Sequence, residues 1–433
     1  MKKHVYIVGL GPGSWELAAQ EAKQCMRQAQ LLIGSRRLLG AIPVNETDAV
    51  RIESAAGSEI ARLIGESAYT HIAAVFSGDI GFHSGAEQLR KCLDAAAAEI
   101  HTVCGISSVQ YFAAALNRSW QNWRLVSAHG TLCNIIGEIL AEPFVQGKKE
   151  IFFLTGGAVT VHSIAELLCK SLQKPDGSFY DYDIRMAVGI SLSEKRHTVI
   201  EKPLYKIEQY IQSLDILSVC PAVVLITWYQ TDNIACNTGL LSDADFIRGT
   251  VPMTKKETRL LIASLLTGPG SACSVIYDIG AGTGSICIQL AKLLPFASVY
   301  AIEADQEACR LIEQNRERHG ALNVHIAAGF APDAFASLPV PDAAFIGGSN
   351  GRLAAIFDRL CDMNPLVRIV LSAITAETYA EAVRCCAERR GAAYDITQIA
   401  VNKTKTAGNS HIYHMFSPVT PVFVFDSYPD GNV

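Results

Sequence analysis

Short apolar runs recur along this chain, each closed by a small or polar residue and followed by a stretch with helical spacing. Residues 5–8, 72–76, 151–154 and 223–226 form such runs in the first half, and residues 275–277, 299–302, 343–346 and 369–371 in the second. Runs this brief suit strands, and their alternation with helix-period segments predicts parallel α/β layers. The rhythm changes near the C-terminus, where residues 394–401, 411–416 and 421–425 read as three strands in succession. Periodicity lapses over residues 230–239. Beyond it, Pro252-Met253-Thr254-Lys255-Lys256-Glu257 opens a helix, with Thr254 placed as N-cap and Glu257 three residues later. The pattern predicts a first domain over 1–232, a linker over 233–242 and a second domain over 243–433.

Composition supports a globular reading. The chain has 433 residues, 49% hydrophobic and 18% charged, which excludes a disordered, collagen-like or coiled-coil protein. Net charge is −5, and from Gly249 onward 17 acidic residues face 15 basic ones. Neither half is basic, which argues against binding a phosphate backbone. No apolar run approaches the roughly 18–20 residues of a membrane span. The N-terminal segment runs directly into Gly9 without a signal-peptide cleavage pattern. Thirteen cysteines lack any Cys-x-x-Cys spacing. They predict reduced, mostly buried thiols in a cytoplasmic protein, with the adjacent Cys385 and Cys386 structural.

The sharpest local signal is Asp278-Ile279-Gly280-Ala281-Gly282-Thr283-Gly284, between a strand and a helix carrying Ile286, Ile288 and Leu290. Glycines there let backbone approach a ligand without Cβ collisions. The next strand ends at Glu303, an acid placed to accept both ribose hydroxyls of an adenosyl ligand, with Asp305 as a near neighbour. The Asp-x-Gly-x-Gly-x-Gly form, the acid after the second strand and the strand-rich C-terminus favour S-adenosyl-L-methionine over a dinucleotide. In the first half, Gly9-Leu10-Gly11-Pro12-Gly13 follows a strand. Proline inside that turn removes an N–H that a pyrophosphate would want, whereas a sulfonium cofactor carries no phosphate.

Further segments join these. Ser77-Gly78-Asp79-Ile80-Gly81-Phe82, Gly105-Ile106-Ser107-Ser108, Ser127-Ala128-His129-Gly130, Thr155-Gly156 and Gly189-Ile190-Ser191 follow in order. With the Gly-Pro-Gly loop and Gly34-Ser35-Arg36-Arg37-Leu38, they resemble the tetrapyrrole methylase superfamily, and its carbon-5-methylating precorrin branch, over about residues 3–230. Residues 247–259, the 280–284 loop and Phe345-Ile346-Gly347-Gly348-Ser349-Asn350-Gly351 resemble the decarboxylating precorrin methyltransferases of cobalamin biosynthesis, from about Asp243 onward. In that order, the halves resemble the family of fused precorrin-6B C(5,15)-methyltransferases (decarboxylating).

The resemblance implies an α/β chain: an N-terminal two-lobed tetrapyrrole methylase (class III methyltransferase) fold followed by a Rossmann-like class I methyltransferase domain. It implies methylation of precorrin-6B or cobalt-precorrin-6B at carbons 5 and 15 with loss of the ring C acetate carboxyl. Cofactor contacts carried over are Pro12, Ser77, Gly78, Asp79, Phe82, Ser107, Ser108, Thr155 and Gly189 in the first half. In the second they are Thr254, Gly280, Ala281, Gly282, Thr283, Gly284, Glu303 and Ala331. Gly347, Gly348 and Ser349 would face the tetrapyrrole, and Lys403-Thr404-Lys405-Thr406-Ala407-Gly408 would form a loop before the last strands. Substrate carboxylates call for cations, for which Arg36, Arg37, Lys403 and Lys405 are the first choices, with the Lys195-Arg196-His197 cluster and Arg248 behind them. His129 is the candidate for proton handling. Homo-oligomers are expected from the family.

No protein-held metal is expected: His411 and His414, three apart on a strand, face opposite sides, and cobalt would arrive inside the substrate ring. Rival readings are a methyltransferase acting on nucleic acid, which calls for a basic face, and a non-catalytic binding protein, which calls for a broken cofactor loop.

Overall fold

A computed structural model describes residues 2–93, 98–128, 133–192, 197–212, 222–231, 239–267, 273–389, 391–407 and 413–429. All eight of the apolar runs that open the sequence pattern lie in strands. Packing divides the chain into two units. One comprises Met1–Cys133, Lys148–Lys170 and Asp183–Tyr229; the other comprises Asn134–Gly147, Ser171–Tyr182 and Gln230–Val433.

The first unit holds two sheets. Strands β1 (Lys3–Gly9), β2 (Leu31–Gly34), β3 (Val50–Glu53), β4 (His71–Phe76) and β5 (Ala98–Val103) form a parallel sheet in the order β3-β2-β4-β1-β5. Val5 and Ile7 are fully buried on one face and Val8 on the other, as expected where helices cover both sides of a parallel sheet. The second sheet is mixed. Its strands β6 (Trp123–Ser127), β7 (Lys148–Leu154), β8 (Asp183–Ile190), β9 (Thr198–Pro203) and β10 (Ala222–Tyr229) run in the order β6-β7-β10-β8-β9. The helix Ser108–Ala115, which follows β5, packs on the second sheet, its Val109 and Phe112 in a cluster with Phe152, Ala187 and Leu225.

The second unit is built on seven strands: β11 (Val275–Ile279), β12 (Ser298–Glu303), β13 (Val324–Ala328), β14 (Ala343–Ile346), β15 (Arg368–Ala373), β16 (Ala392–Ile399) and, after a two-stranded hairpin, β19 (Val422–Pro429). The hairpin pairs β17 (Asn402–Ala407) with β18 (Tyr413–Pro418). The order is β13-β12-β11-β14-β15-β19-β16, parallel except that β19 is antiparallel to both its neighbours. The antiparallel closure expected of the C-terminus is thus present, with one correction. Residues 403–407 of the expected 403–408 loop belong to a strand, because Lys403, Lys405 and Ala407 find ladder partners in Ser417, Met415 and Tyr413. Gly408 and His411 lie outside the described residues. Segment 171–182 joins this unit through Arg316, which donates to the Tyr180 hydroxyl at 2.6 Å and the Ser171 carbonyl at 3.1 Å, and through Lys174, 3.0 Å from Glu317; segment 134–147 joins it through Asn134, which donates to the Phe296 carbonyl at 3.0 Å.

Cysteines depart from expectation. Among those described, Cys25, Cys169, Cys287, Cys385 and Cys386 are buried, four are partly buried, and Cys92 and Cys104 are exposed. Burial pushes the Cys386 thiol up to about 12, consistent with an inert packing role. Among the described residues, no helix is long and apolar enough to cross a membrane.

Three strand-end loops of the first unit meet through glycine. A Cβ on Gly105 would lie 2.3 Å from the Gly78 carbonyl oxygen and 2.6 Å from that of Gly9. Gly105→Ala is therefore expected to cost about 1–3 kcal/mol and lower the calorimetric melting temperature. Gly40→Ala, in the helix Arg36–Ala41 with nothing within 4 Å of the added carbon, is expected to be neutral or stabilising by up to about 1 kcal/mol. Equal effects at the two positions would refute the close-approach account.

Candidate functional site

In the second unit the chain leaves β11 through three left-handed glycines, Gly280 (φ 69°), Gly282 (φ 57°) and Gly284 (φ 77°), before the helix Ser285–Leu293. That helix has no side-chain cap at Gly284. Instead the Cys287 amide donates to Asp278 Oδ2 at 2.9 Å, so the motif aspartate satisfies one of the helix's first N–H groups. Asp278 is completely buried, and desolvation pushes its carboxyl up to about 7. Gly280 abuts the loop after β14: a Cβ there would sit 2.7 Å from both the amide nitrogen and the carbonyl oxygen of Gly348. The amides of Gly347 and Gly348 both donate to the Ile279 carbonyl, at 2.9 and 3.3 Å.

Glu303 closes the third side. Its Oε2 accepts from the Gly282 amide at 2.9 Å, and its Oε1 accepts from Ala304 and Asp305 at 2.8 and 2.9 Å. A carboxylate has about four acceptor positions, so three backbone donors fix the group and leave it able to accept again. These loops enclose a cavity of about 560 Å³, within the size range of small-molecule sites. Thr254, Gly280, Ala281, Gly282, Glu303, Ala331, Gly347, Gly348 and Ser349 all line it. Thr283 and Gly284 are not on its wall. Thr283 is buried, its carbonyl accepting from Asn315 at 2.9 Å, and Gly284 shapes the turn.

Sequence reasoning missed Pro252, Gly329, Phe330 and Asn350, which also line the cavity. Two of them carry a backbone signal: Gly329 has a φ of 149° and Asn350 a φ of 50°, a region that glycine and asparagine tolerate best.

Thr254 needs a correction. The helix is Lys256–Leu266, with Lys255 at the N-cap and no side-chain cap. The Thr254 carbonyl instead accepts from Arg259 at 2.9 Å. Arg259, fully buried, also donates to the Leu241 carbonyl at 2.7 Å and pairs with Asp243 at 3.2 Å. Lys403 pairs with Glu257 at 3.0 Å and is not on the cavity wall; the Lys405 side chain lies outside the described residues. Arg248 donates to the Asp243 carbonyl.

The first unit brings its own motif residues to strand ends. Gly11 and Gly78 exchange backbone hydrogen bonds at 3.3 and 2.7 Å, which places Pro12 beside the Ser77-Gly78-Asp79 loop. Asp79 Oδ1 accepts from the Gly81 amide, holding that loop folded. Arg37 reaches it too, donating to the Ser77 hydroxyl at 3.1 Å, whereas Arg36 is exposed, 3.9 Å from Glu53. Phe82 packs toward Phe152 of β7, ring centroids 6.3 Å apart. Ser107 caps the helix Ser108–Ala115 in a reciprocal box with Gln110. Thr155 donates to the Ala222 carbonyl at 2.7 Å. Gly189 lies on β8, where a Cβ would meet the Phe112 ring at 2.8 Å. His129, Lys195 and Arg196 lie outside the described residues.

Burial of Asp278 makes a pH-dependent contribution. Its folded pKa of about 7 exceeds the usual value of 3.8. The stability it contributes is therefore full below about pH 4 and lost as pH rises through about 7. Asp278→Asn, an isostere of the protonated form, is expected to flatten that decline in melting temperature between pH 4 and 8. An unchanged pH slope in the variant would refute the assignment.

Comparison with known proteins places these features. Residues 4–203 match the family Tetrapyrrole (Corrin/Porphyrin) Methylases, and residues 246–426 match Precorrin methyltransferase domain. The cobalt-precorrin-6B C(15)-methyltransferase (decarboxylating) of Salmonella typhimurium is 34% identical over 194 residues, 44% of this chain and 97% of that protein. The precorrin-6Y C(5,15)-methyltransferase [decarboxylating] of a Sinorhizobium species is 25% identical over 378 residues, 86% of this chain and 84% of that protein. A solved precorrin-6y C5,15-methyltransferase structure from Geobacter metallireducens is 30% identical, covers 45% of this chain and 99% of its own, and aligns with a TM-score of 0.41. With 34% identity over 194 residues that span nearly the whole length of the Salmonella enzyme, and a tetrapyrrole methylase match ahead of that segment, this chain belongs to the decarboxylating precorrin methyltransferases.

Proposed function

We propose that this enzyme methylates precorrin-6B or its cobalt form at carbons 5 and 15, with loss of the ring C acetate carboxyl, in cobalamin biosynthesis. Both methyl groups would come from S-adenosyl-L-methionine. What carries the reading is the convergence of the 280–284, 303–305 and 347–350 loops on one cavity, in a chain related along most of its length to a C(5,15)-methyltransferase. The nucleic-acid reading has no support among these relatives.

The residues present suit the cofactor. Glu303 retains acceptor capacity for a ribose diol, Ile302, Ala308 and Ala331 offer apolar wall for a purine, and the glycine turn exposes backbone in place of side chains. When bound, the sulfonium supplies an already activated methyl group. The protein's task is then alignment. Glu303 and the 280–284 loop would fix one partner, while Gly347, Gly348 and Ser349 would hold the macrocycle against it. Such positioning is worth roughly 7–11 kcal/mol of effective concentration. Arg352 stacks on Phe330 at the cavity, 5.4 Å from ring centroid to guanidinium, and pairs with Asp333 at 2.8 Å. We assign it, with Lys403 and Lys405, to substrate carboxylates. In the first unit, Pro12, Ser77–Asp79, Phe82, Ser107, Ser108, Thr155 and Gly189 would serve the carbon-5 site, with Arg36 and Arg37 for carboxylates and His129 for proton handling. Decarboxylation asks for little covalent help: the protonated macrocycle accepts the electron pair as carbon dioxide leaves, and desolvation of the departing carboxylate favours its loss.

Mass spectrometry of the product from metal-free and cobalt-loaded precorrin-6B tests the reading. The expected product gains two methyl groups and loses one carbon dioxide; an unmodified tetrapyrrole would overturn it. Glu303→Ala is expected to lower carbon-15 methylation and decarboxylation by at least about 100-fold while carbon-5 methylation persists, giving a singly methylated product. Calorimetric titration with S-adenosylhomocysteine should find two sites per chain, and one in the variant. Loss of both methylations together would refute separate sites.

A further inference from the structure

The first sheet carries a group of side chains that the methylation reading does not use. Strands β1 and β5 are adjacent and parallel, with His4 opposite Glu99 and Tyr6 opposite His101. Residues directly opposite on paired strands share a face, so His4, Glu99 and His101 project from the same side. Their ligand atoms all lie within 4.8 Å of one another. His4 Nδ1 is 3.7 Å from Glu99 Oε2, and His101 Nε2 is 3.6 Å from Glu99 Oε1.

Those separations exceed a hydrogen bond. They approach the separation of about 3.3–3.4 Å that two ligands bound at about 2.0–2.1 Å subtend at a tetrahedral ion. His101 Nε2 is itself buried and finds no hydrogen-bond partner among the described residues. The rings are also held in place: His71, on β4 opposite His4, stacks on it at 5.0 Å, and Tyr6 stacks on His101 at 4.8 Å.

We propose that His4, Glu99 and His101 form a site for a divalent borderline metal of the zinc type on the first sheet. Two imidazoles and one carboxylate match zinc and its neighbours and are poor ligands for magnesium or calcium. Three protein ligands leave a coordination position open, and the half-exposed side chains, 36%, 49% and 37% accessible, leave it to solvent. The site sits at the start of β1. The glycine loop lies at its end, five residues on from His4, or about 17 Å at the rise of a strand. The metal is therefore separate from the methyl-transfer chemistry and acts by tying the edge strand β5 to β1.

The test uses the full chain, stripped by chelator and dialysed against zinc alone or magnesium alone, with metal content read by atomic emission. Because thirteen cysteines provide background binding, wild type is compared with His4→Gln/His101→Gln and with Glu99→Gln, each checked for folding by circular dichroism. Wild type should retain one more equivalent of zinc than either variant. It should also melt several degrees higher with zinc but not magnesium, a shift the variants lack. Substituted cobalt(II) should show tetrahedral bands without sulfur charge transfer. Equal zinc content in wild type and folded variants, or a cobalt spectrum dominated by thiolate, would overturn the proposal.

Discussion

Peptide packed against peptide at the carboxyl ends of parallel strands is the contact on which both units depend. In the first, Gly9, Gly78 and Gly105 bring three loops to within 2.3–2.8 Å of where a Cβ would stand. In the second, Gly280 meets Gly348 in the same way, and the Ile279 carbonyl takes two amides from the neighbouring loop. A parallel sheet directs all its strand-end loops to one side, so a binding floor forms there almost by geometry. Glycine makes that floor out of backbone. It stays narrow, polar and rigid, and a flat ligand can lie on it without displacing side chains.

Two acids of the second unit show how environment divides labour between identical functional groups. Asp278 belongs to the motif, yet it lies behind the loop, wholly buried, with one oxygen on the Cys287 amide. It holds the helix and is not on the cavity wall. Glu303 stands one strand over, on the cavity wall, with three amides orienting its carboxylate. Fixing a carboxylate by several N–H groups pre-orders it, so little conformational entropy remains to be lost when a diol binds. The motif aspartate thus has a structural role, and the recognition proposed for this loop cluster would fall to the acid on the next strand.

Much of this could be read in the sequence, because glycine turns and strand-end acids are local signals. Gly280–Gly282 and Glu303, read from the motif and the strand end, line one cavity with the 347–349 turn, which the family resemblance had implied, and the strand-rich C-terminus carried the antiparallel closure. Features set by distant partners were not legible. Residues 403–407 look like a polar loop, and only pairing with residues 413–417 makes them a strand. Thr254 has the chemistry of an N-cap, but buried Arg259 draws on its carbonyl and the helix begins two residues later. Phe330 lies in no motif, and its place on the wall follows from the loops around it, whereas Asn350 sits inside the 345–351 segment. Segments 134–147 and 171–182 join the second unit through individual contacts, of Asn134 with the Phe296 carbonyl and of Tyr180 and Lys174 with Arg316 and Glu317, which leave no periodic trace.

Ion pairs explain how an acidic protein can receive a polycarboxylate. Arg259 with Asp243 and Arg368 with Asp426 are buried on at least one side, and removing either partner would strand a charge away from water. Lys403 with Glu257, Arg352 with Asp333 and Arg36 with Glu53 are different: every one of these side chains is more than a third exposed. Pairs of that kind contribute about 0–1 kcal/mol, so exchanging the protein's own carboxylate for one on a substrate costs little. In the role proposed for these cations, each would give up its own acid for a carboxylate of the substrate. On this view the net charge of −5 is no obstacle to recognition, because the acids that produce part of it stand beside the cations that a tetrapyrrole's carboxylates would claim.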